Sequence, residues 1–253
     1  MKISIITVTF NSEKTLQDTL DSVLRQDYRN IEHIIIDGGS MDSTVDIIRA
    51  YASKTTSHSV KWVSEKDRGI YDAMNKGLEK ATGNYVVFLN AGDTFPSTDT
   101  LEHIAGCVGE GEAHPGVLYG DTDIVDDTGR FLRRRRLSPP RKLTWRSFRN
   151  GMLVCHQAFY VRADIAKSIP YDTHYKYSAD VDWCIKVMKK AAQQHMTLRN
   201  VNAVIANYLD GGLSVKNHKA SLKERFHVMQ SHYGLLTTLI FHFWFLIRSV
   251  IQK

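Results

Sequence analysis

Short apolar runs and helical spacings alternate along the first 95 residues. Ile3 to Thr9, Ile31 to Ile36 and Tyr85 to Leu89 are nearly continuous apolar stretches rich in β-branched and aromatic residues. Runs of that length, each ending in a polar turn, predict buried strands. Between the first two, Leu16, Leu20, Val23 and Leu24 recur at helical spacing behind Asn11 and Ser12. Val45, Ile48 and Ala52 do the same behind Ser40 and Asp42, so each set predicts a helix with a capping side chain. Val60 to Ser64 predicts a third short strand and Asp72 to Ala81 a helix, before Gly83-Asn84 turns into the fourth strand. This order predicts an α/β fold: a Rossmann-like, mostly parallel sheet with helices on both faces and right-handed connections.

After residue 95 the rhythm changes. Val117 to Val125 and Phe131 to Arg135 flank Asp126-Asp127-Thr128-Gly129, the pattern of a hairpin. Helical spacing returns from Ala179 to Lys190, and Val201 to Tyr208 alternates like a strand. No Pro-, Gly- or Ser-rich linker separates the halves. The expectation is one domain over residues 1–215, with a nucleotide-binding half (1–95) running into an acceptor half (96–215), followed by a helical region over 216–253. Twelve of the seventeen residues from Leu235 to Ile251 are apolar, with His242 and Arg248 among the rest. That is short of the roughly 20 apolar residues a spanning helix needs. The readings are a helix lying in a membrane interface, with Lys219, Lys223, Arg225, Arg248 and Lys253 near head groups, or a helix docked on the core or on a second copy.

Composition sharpens this picture at two points. Cys107, Cys155 and Cys184 are scattered and odd in number, which fits free thiols in a reducing cytoplasm and no structural zinc. The first residues turn polar too soon for a secretory signal. Expected placement is therefore cytoplasmic, with a peripheral position on the inner face of the cell membrane if the last helix binds lipid. The net charge of +6 comes from one place: residues 130–149 hold nine Arg or Lys and no acid, and the other 24 basic residues face 27 acids. Arg133 to Arg136 have three readings: a grip on a lipid-linked pyrophosphate, contact with anionic lipid, or a solvated edge that discourages strand pairing. No nucleic-acid-binding motif accompanies them, so nucleic acid is excluded as a partner.

Candidate chemistry sits where the strands end. Tyr85-Val-Val-Phe-Leu89 breaks at Asn90-Ala91-Gly92-Asp93, and the second strand breaks at Asp37-Gly38-Gly39-Ser40. Polar turns at the carboxyl ends of parallel strands are where open α/β sheets bind ligands. Asp93 is the candidate metal ligand; a structural Asx-turn or cap is the competing reading.

Four segments occur in order: Thr7-Val-Thr-Phe-Asn11, Ile36-Asp-Gly-Gly-Ser40, the stretch from Ser64 to Gly77, and Phe88-Leu-Asn-Ala-Gly-Asp93. His156-Gln157, Ser178-Ala-Asp-Val-Asp182 and Gly211-Gly-Leu-Ser214 extend the series. Together they resemble family 2 of the GT-A glycosyltransferases, especially bacterial members that build exopolysaccharide and O-antigen, over roughly residues 3 to 215. The resemblance implies an inverting enzyme that takes a sugar from a nucleotide-diphosphate donor, with Mn²⁺ or Mg²⁺, to a saccharide or polyprenyl-linked acceptor. It implies nucleotide-sugar contacts from Thr9, Phe10, Asn11, Glu13, Asp37, Gly38, Asp67, Asn75, Asn90, Ala91 and Gly92, and metal binding by Asp93. It also implies Asp180 as the general base, with His156 and Asp182 on the acceptor.

Three departures from the family pattern stand out: Gly38 and Gly92 replace acids, and Ala179 replaces a Glu. These keep open a second reading, a non-catalytic nucleotide-sugar-binding or membrane-scaffold protein on the same fold. Asp180 and His156 also have structural readings, as a first-turn acid and as a satisfied core histidine.

Overall fold

The computed structural model describes residues 1–109, 114–212 and 217–251, with side chains through residue 248. Strands β1 (Ile3–Thr9), β2 (Ile31–Asp37) and β4 (Tyr85–Phe88) are buried along their whole length. Near-continuous apolar sequence has this consequence in a parallel sheet covered on both faces. β1 lies parallel to β2 and to β4, and β2 parallel to β3 (Ser59–Ser64). Alternate residues of β2 serve opposite faces. Ile35 packs with Leu16 and Leu20 of α1 (Leu16–Leu24) and with Ile48 and Tyr51 of α2 (Thr44–Lys54). Ile34 and Ile36 join the main core with Met74 and Leu78 of α3 (Ile70–Lys80). Leu24, expected on the apolar face of α1, is exposed, and Tyr51 rather than Ala52 is the buried residue of the last turn of α2.

The second half extends the same sheet. α4 (Thr100–Gly106) leads to β5 (Val117–Val125), which forms an antiparallel hairpin with β6 (Phe131–Arg134). β7 (Phe159–Arg162) runs antiparallel between β4 and β5, and α5 (Ala163–Ser168) follows it. α6 (Ala179–Gln193) leads to β8 (Leu198–Leu209), which pairs parallel with the free edge of β5. The order is β3-β2-β1-β4-β7-β5-β6, with β8 on β5. β8 is longer than its alternation suggested because its pairing shifts register, beside Asn202 at φ 54°, and the period-2 pattern breaks there. Two helices close the chain: α7 (His218–Tyr233), packed against α6, and α8 (Leu235–Ile251). The boundary expected at residue 215 falls outside the described residues. α7 is tied to the sheet domain, because Glu224 accepts the Lys176 and Tyr177 N–H groups.

A buried hydrogen-bond relay fixes the carboxyl end of β4. Thr7 Oγ1 donates to the Leu89 carbonyl at 2.7 Å, so it must accept from His33 Nε2 at 2.9 Å. His33 Nδ1 then accepts the Tyr51 hydroxyl at 2.9 Å, and Tyr51 accepts from His58 Nε2. This direction requires an uncharged His33 ring. Burial, helped by the neighbouring His58 charge, lowers its pKa from 6.5 to about 3. The unfolded chain therefore binds the extra proton, and stability is lost as pH falls from 6.5 toward 3. In urea unfolding, the native protein should lose about 2 kcal/mol more than His33→Gln between pH 6.5 and 4.5, a window above most carboxylate titrations. Equal losses would show that the ring is not held neutral.

Candidate active site

The first two strand ends build a tight polar rim. Thr9 ends β1 with a buried Oγ1 that has no partner among the described residues, and Phe10 stands exposed beside it. Asn11, at φ 47°, uses its Oδ1 to accept the Met41 N–H, which ties this turn to the one after β2. Asp37 is buried, with both carboxylate oxygens engaged by its own turn and by β3. Oδ2 accepts the Gly39 and Ser40 N–H groups and the Ser64 hydroxyl, and Oδ1 accepts the Ser40 hydroxyl. The expected nucleotide contact by Asp37 is thus replaced by a turn-forming role. Glu13 is also occupied, accepting the Ser43 N–H at the start of α2. Gly38 has a positive reason to lack a side chain: a Cβ there would lie 2.5 Å from Oδ2 of Asp67. Asp67 fills the space in which the family's second acid would sit.

The β4 turn points into a cavity of about 620 Å³. Gly92 sits at φ +99° and donates its N–H to Thr19 Oγ1, a conformation that side chains resist. The turn presents Asn90, Ala91 and Asp93 to the cavity. Asp93 Oδ2 accepts the Gln157 amide at 2.7 Å, and Oδ1 accepts the Leu209 N–H at 3.1 Å. Burial pushes its carboxyl up to about 6, against the opposing effect of those two donors.

Asp180 faces the same cavity from the first turn of α6. Its Oδ1 accepts the Val181 N–H at 3.0 Å and the Tyr71 hydroxyl at 3.2 Å. Its Oδ2 lies 3.4 Å from His156 Nδ1. The other ring nitrogen of His156 is 3.2 Å from the Asn90 amide nitrogen. Because Nε2 accepts from that amide, the ring proton sits on Nδ1, directed at Asp180. Burial works to raise the Asp180 pKa, but His156, the Arg225 charge and the Val181 N–H outweigh it, leaving the carboxyl below its ordinary value. Arg225, on α7, lines the cavity, and among the described residues its buried Nε has no partner; burial weakens its hold on its proton, while Asp180 strengthens it.

The structure therefore brings Phe10, Asn90, Ala91, Asp93, His156 and Asp180 to one cavity. Asn75 and Asp182 lie elsewhere. The Asn75 amide clamps the Tyr171 backbone through both its N–H and its carbonyl, which braces the stacked Tyr71, Tyr171 and Trp183 rings behind Asp180. Asp182 is turned about 200° around the helix from Asp180. It pairs with Lys186 at 2.6 Å and His232 at 2.8 Å, which removes it from the expected acceptor contact. Of the Gly211 to Ser214 segment, Gly211 and Gly212 line the cavity, while Leu213 and Ser214 lie outside the described residues. The basic segment is divided. Arg133 and Arg134 pair with Asp210 and Asp123, and Arg135 turns inward to the carbonyls of Leu137, Met152 and Leu153. Sequence reasoning missed Gln157, Arg225 and Tyr71. The His156-Gln157 pair itself was the signal for Gln157.

Asp93 and Asn90 are the side chains that could hold a cation here. Among the described residues the buried Asn90 Oδ1 has no partner, and each Asp93 oxygen retains a lone pair beyond its one N–H donor. Among the described residues no cluster of three or more His, Cys, Asp or Glu is arranged to hold a metal. Two hard oxygen donors fit Mn²⁺ or Mg²⁺ only where other ligands, such as phosphate oxygens, complete the shell.

A strand-end cleft on a mostly parallel sheet, extended by an antiparallel second half, defines the GT-A class of transferase fold. The structure is similar to S. aureus TarS in complex with UDP-GlcNAc, with a TM-score of 0.70 at 20% identity, covering 91% of this chain and 65% of that one. It is also similar to the mannosyltransferase PcManGT from Pyrobaculum calidifontis in complex with GDP-Man and Mn²⁺, with a TM-score of 0.65 at 16% identity, covering 94% and 73%. A PGL/p-HBAD biosynthesis glycosyltransferase of Mycobacterium bovis is 34% identical over 213 residues, 83% of this chain and 78% of the relative. An uncharacterized glycosyltransferase of Mycobacterium tuberculosis is 35% identical over 187 residues, 73% of this chain and 68% of the relative. The family model for glycosyl transferase family 2 matches residues 4–169, and the chain belongs to that family. It is a glycosyltransferase.

The Gln157 contact generates a direct test. Gln157→Leu removes an N–H donor from a buried carboxylate and should cost about 1–3 kcal/mol of unfolding free energy at pH 7.5. A cost below about 0.5 kcal/mol in denaturant melts would mean that the contact does not hold Asp93.

Proposed function

We propose that the protein is an inverting glycosyltransferase that moves a sugar from a nucleoside-diphosphate donor to a hydroxyl of a saccharide or lipid-linked acceptor. The observation that carries this reading is that Asp93 and Asp180, from different halves of the chain, face one cavity and are connected through His156 and Asn90. The nucleoside lies along the ends of β1 and β2, against Phe10 and Asp67. The diphosphate lies at the Asn90–Asp93 turn. Asp93 and Asn90 would hold a divalent cation there, which would supply charge neutralisation to the leaving diphosphate. Arg225, which also lines the cavity, gives a second positive group there.

Asp180 is the general base. Its lowered pKa keeps it ionised at neutral pH, and His156 and Tyr71 fix its orientation. The acceptor hydroxyl attacks the anomeric carbon from the face opposite the diphosphate. The new C–O bond forms as the sugar–phosphate bond breaks, and the hydroxyl proton passes to Asp180. One carboxylate suffices for this displacement, unlike the two used in glycoside hydrolysis. Asp210, which also lines the cavity, is paired with Arg133 and is left out of the proton transfer.

Asp180→Asn should reduce turnover of the nucleotide sugar by about 10²–10⁴-fold. Its melting-temperature rise with the nucleoside diphosphate should stay close to that of the native protein. Asp93→Ala should lose the Mn²⁺-dependent part of that rise. Full turnover by Asp180→Asn would refute the base assignment, and an unchanged Mn²⁺ response in Asp93→Ala would refute the metal role.

A further inference from the structure

The outer face of α8 inverts the usual surface pattern. Leu236 and Phe243 are 74% and 66% exposed, and Leu235, Leu239, Ile240 and Trp244 are exposed with them. Their spacing places them along one side of the helix. No Asp or Glu occurs between Leu235 and Ile251. Among the described residues no helix is long and apolar enough to cross a membrane. Contiguous apolar surface of this kind marks a binding face.

Arginines frame this helix on the side where it meets the turn at residues 145–150. Arg149 lies over the Phe241 ring at 5.5 Å and Arg248 over Phe245 at 5.1 Å, while Arg146 stacks on Trp145 at 4.4 Å. Arg248 donates to the Asn150 carbonyl at 3.2 Å. Arg136 approaches Arg248 closely enough for its charge to add to the effect of burial on that guanidinium. Among the described residues none of Arg136, Arg146, Arg149 and Arg248 has a carboxylate partner, in contrast to Arg133 and Arg134. Like charges held together without acids, on the side of the helix away from its apolar stripe, are complementary to a layer that is anionic at its surface and apolar beneath.

We propose that α8 lies in the plane of an anionic bilayer surface, its apolar face among the acyl chains and Arg136, Arg146, Arg149 and Arg248 at the phosphates. Residues 135–153 connect this face to the chemistry. Arg135 and Met152 line the cavity, and Asn150 holds α8 through Arg248. Docking therefore sets the acceptor side of the cavity one loop away from the lipid, which selects a lipid-linked acceptor presented from the membrane. This inference rests on the transferase reading for the acceptor, but the docking itself does not.

The test is flotation of the full chain with phosphatidylcholine vesicles and with vesicles containing about 30% phosphatidylglycerol, with donor hydrolysis measured in parallel. The native chain should bind the anionic vesicles at least about tenfold more tightly. Leu236→Glu with Phe243→Glu should abolish flotation, and Arg146→Glu with Arg149→Glu should abolish the preference for the anionic lipid, both with native donor hydrolysis. No flotation of the native chain overturns the proposal. So does flotation that survives the paired glutamates, or light scattering that shows a dimer dissolved by those same glutamates. A native chain that hydrolyses the donor but does not float removes the docking and leaves the catalytic reading standing.

Discussion

His156 and Gln157 are neighbours in the chain, and between them they hold Asp93 and Asp180 in place. His156 spans from Asp180, at the start of α6, to Asn90 in the turn after β4, while Gln157 donates to Asp93 in that same turn. Cys155 closes the short helical turn by donating to the Gln157 carbonyl oxygen at 2.7 Å, which orients the amide so that its N–H faces Asp93. A base and a leaving-group site must keep a fixed separation for in-line displacement, and errors of an ångström are costly. Here that separation is set by one dipeptide rather than by a continuous element.

The clasp works only because both of its ends are stiff. On one side, the relay from His58 through Tyr51, His33 and Thr7 reaches the Leu89 carbonyl, one residue before Asn90. On the other, Asn75 ties α3 to Tyr171, and the stacked Tyr71–Tyr171–Trp183 rings back the Tyr71 hydroxyl that meets Asp180. α7 adds Arg225 from a third direction, held in place while the adjacent Glu224 binds the 176–177 backbone. Residues far apart in the chain thus share a single job, which is to keep one cavity rigid and charged in the right places.

The repeating apolar runs made the strand order of the first half legible, because a parallel strand buried on both faces leaves little freedom in its sequence. The acids at the strand ends were legible as positions but not as roles. Asp37 and Glu13 resembled ligand contacts because a carboxylate at a turn looks the same whether its partners are a nucleotide or the turn's own N–H groups. Asp182 stands two residues from Asp180, and only the helix phase, known once α6 is placed against α7, separates a cavity group from one hydrogen-bonded to His232. Arg225 was grouped with lysines thought to face lipid, since one residue of helix rotation, about 100°, moves a side chain from solvent to the cavity. Gly38 had looked like a missing acid; the place is filled by Asp67, from a loop nearly thirty residues further on.

The central claim is that a single base, Asp180, drives displacement on the face opposite the diphosphate. The anomeric configuration of the first product tests it most directly. When the purified protein turns over its nucleotide sugar with Mn²⁺, proton NMR within the first minutes should show the released or transferred sugar with the anomeric configuration opposite to that of the donor. Retention of the donor configuration would mean either attack from the diphosphate's own face or two successive displacements. It would contradict the account at its foundation.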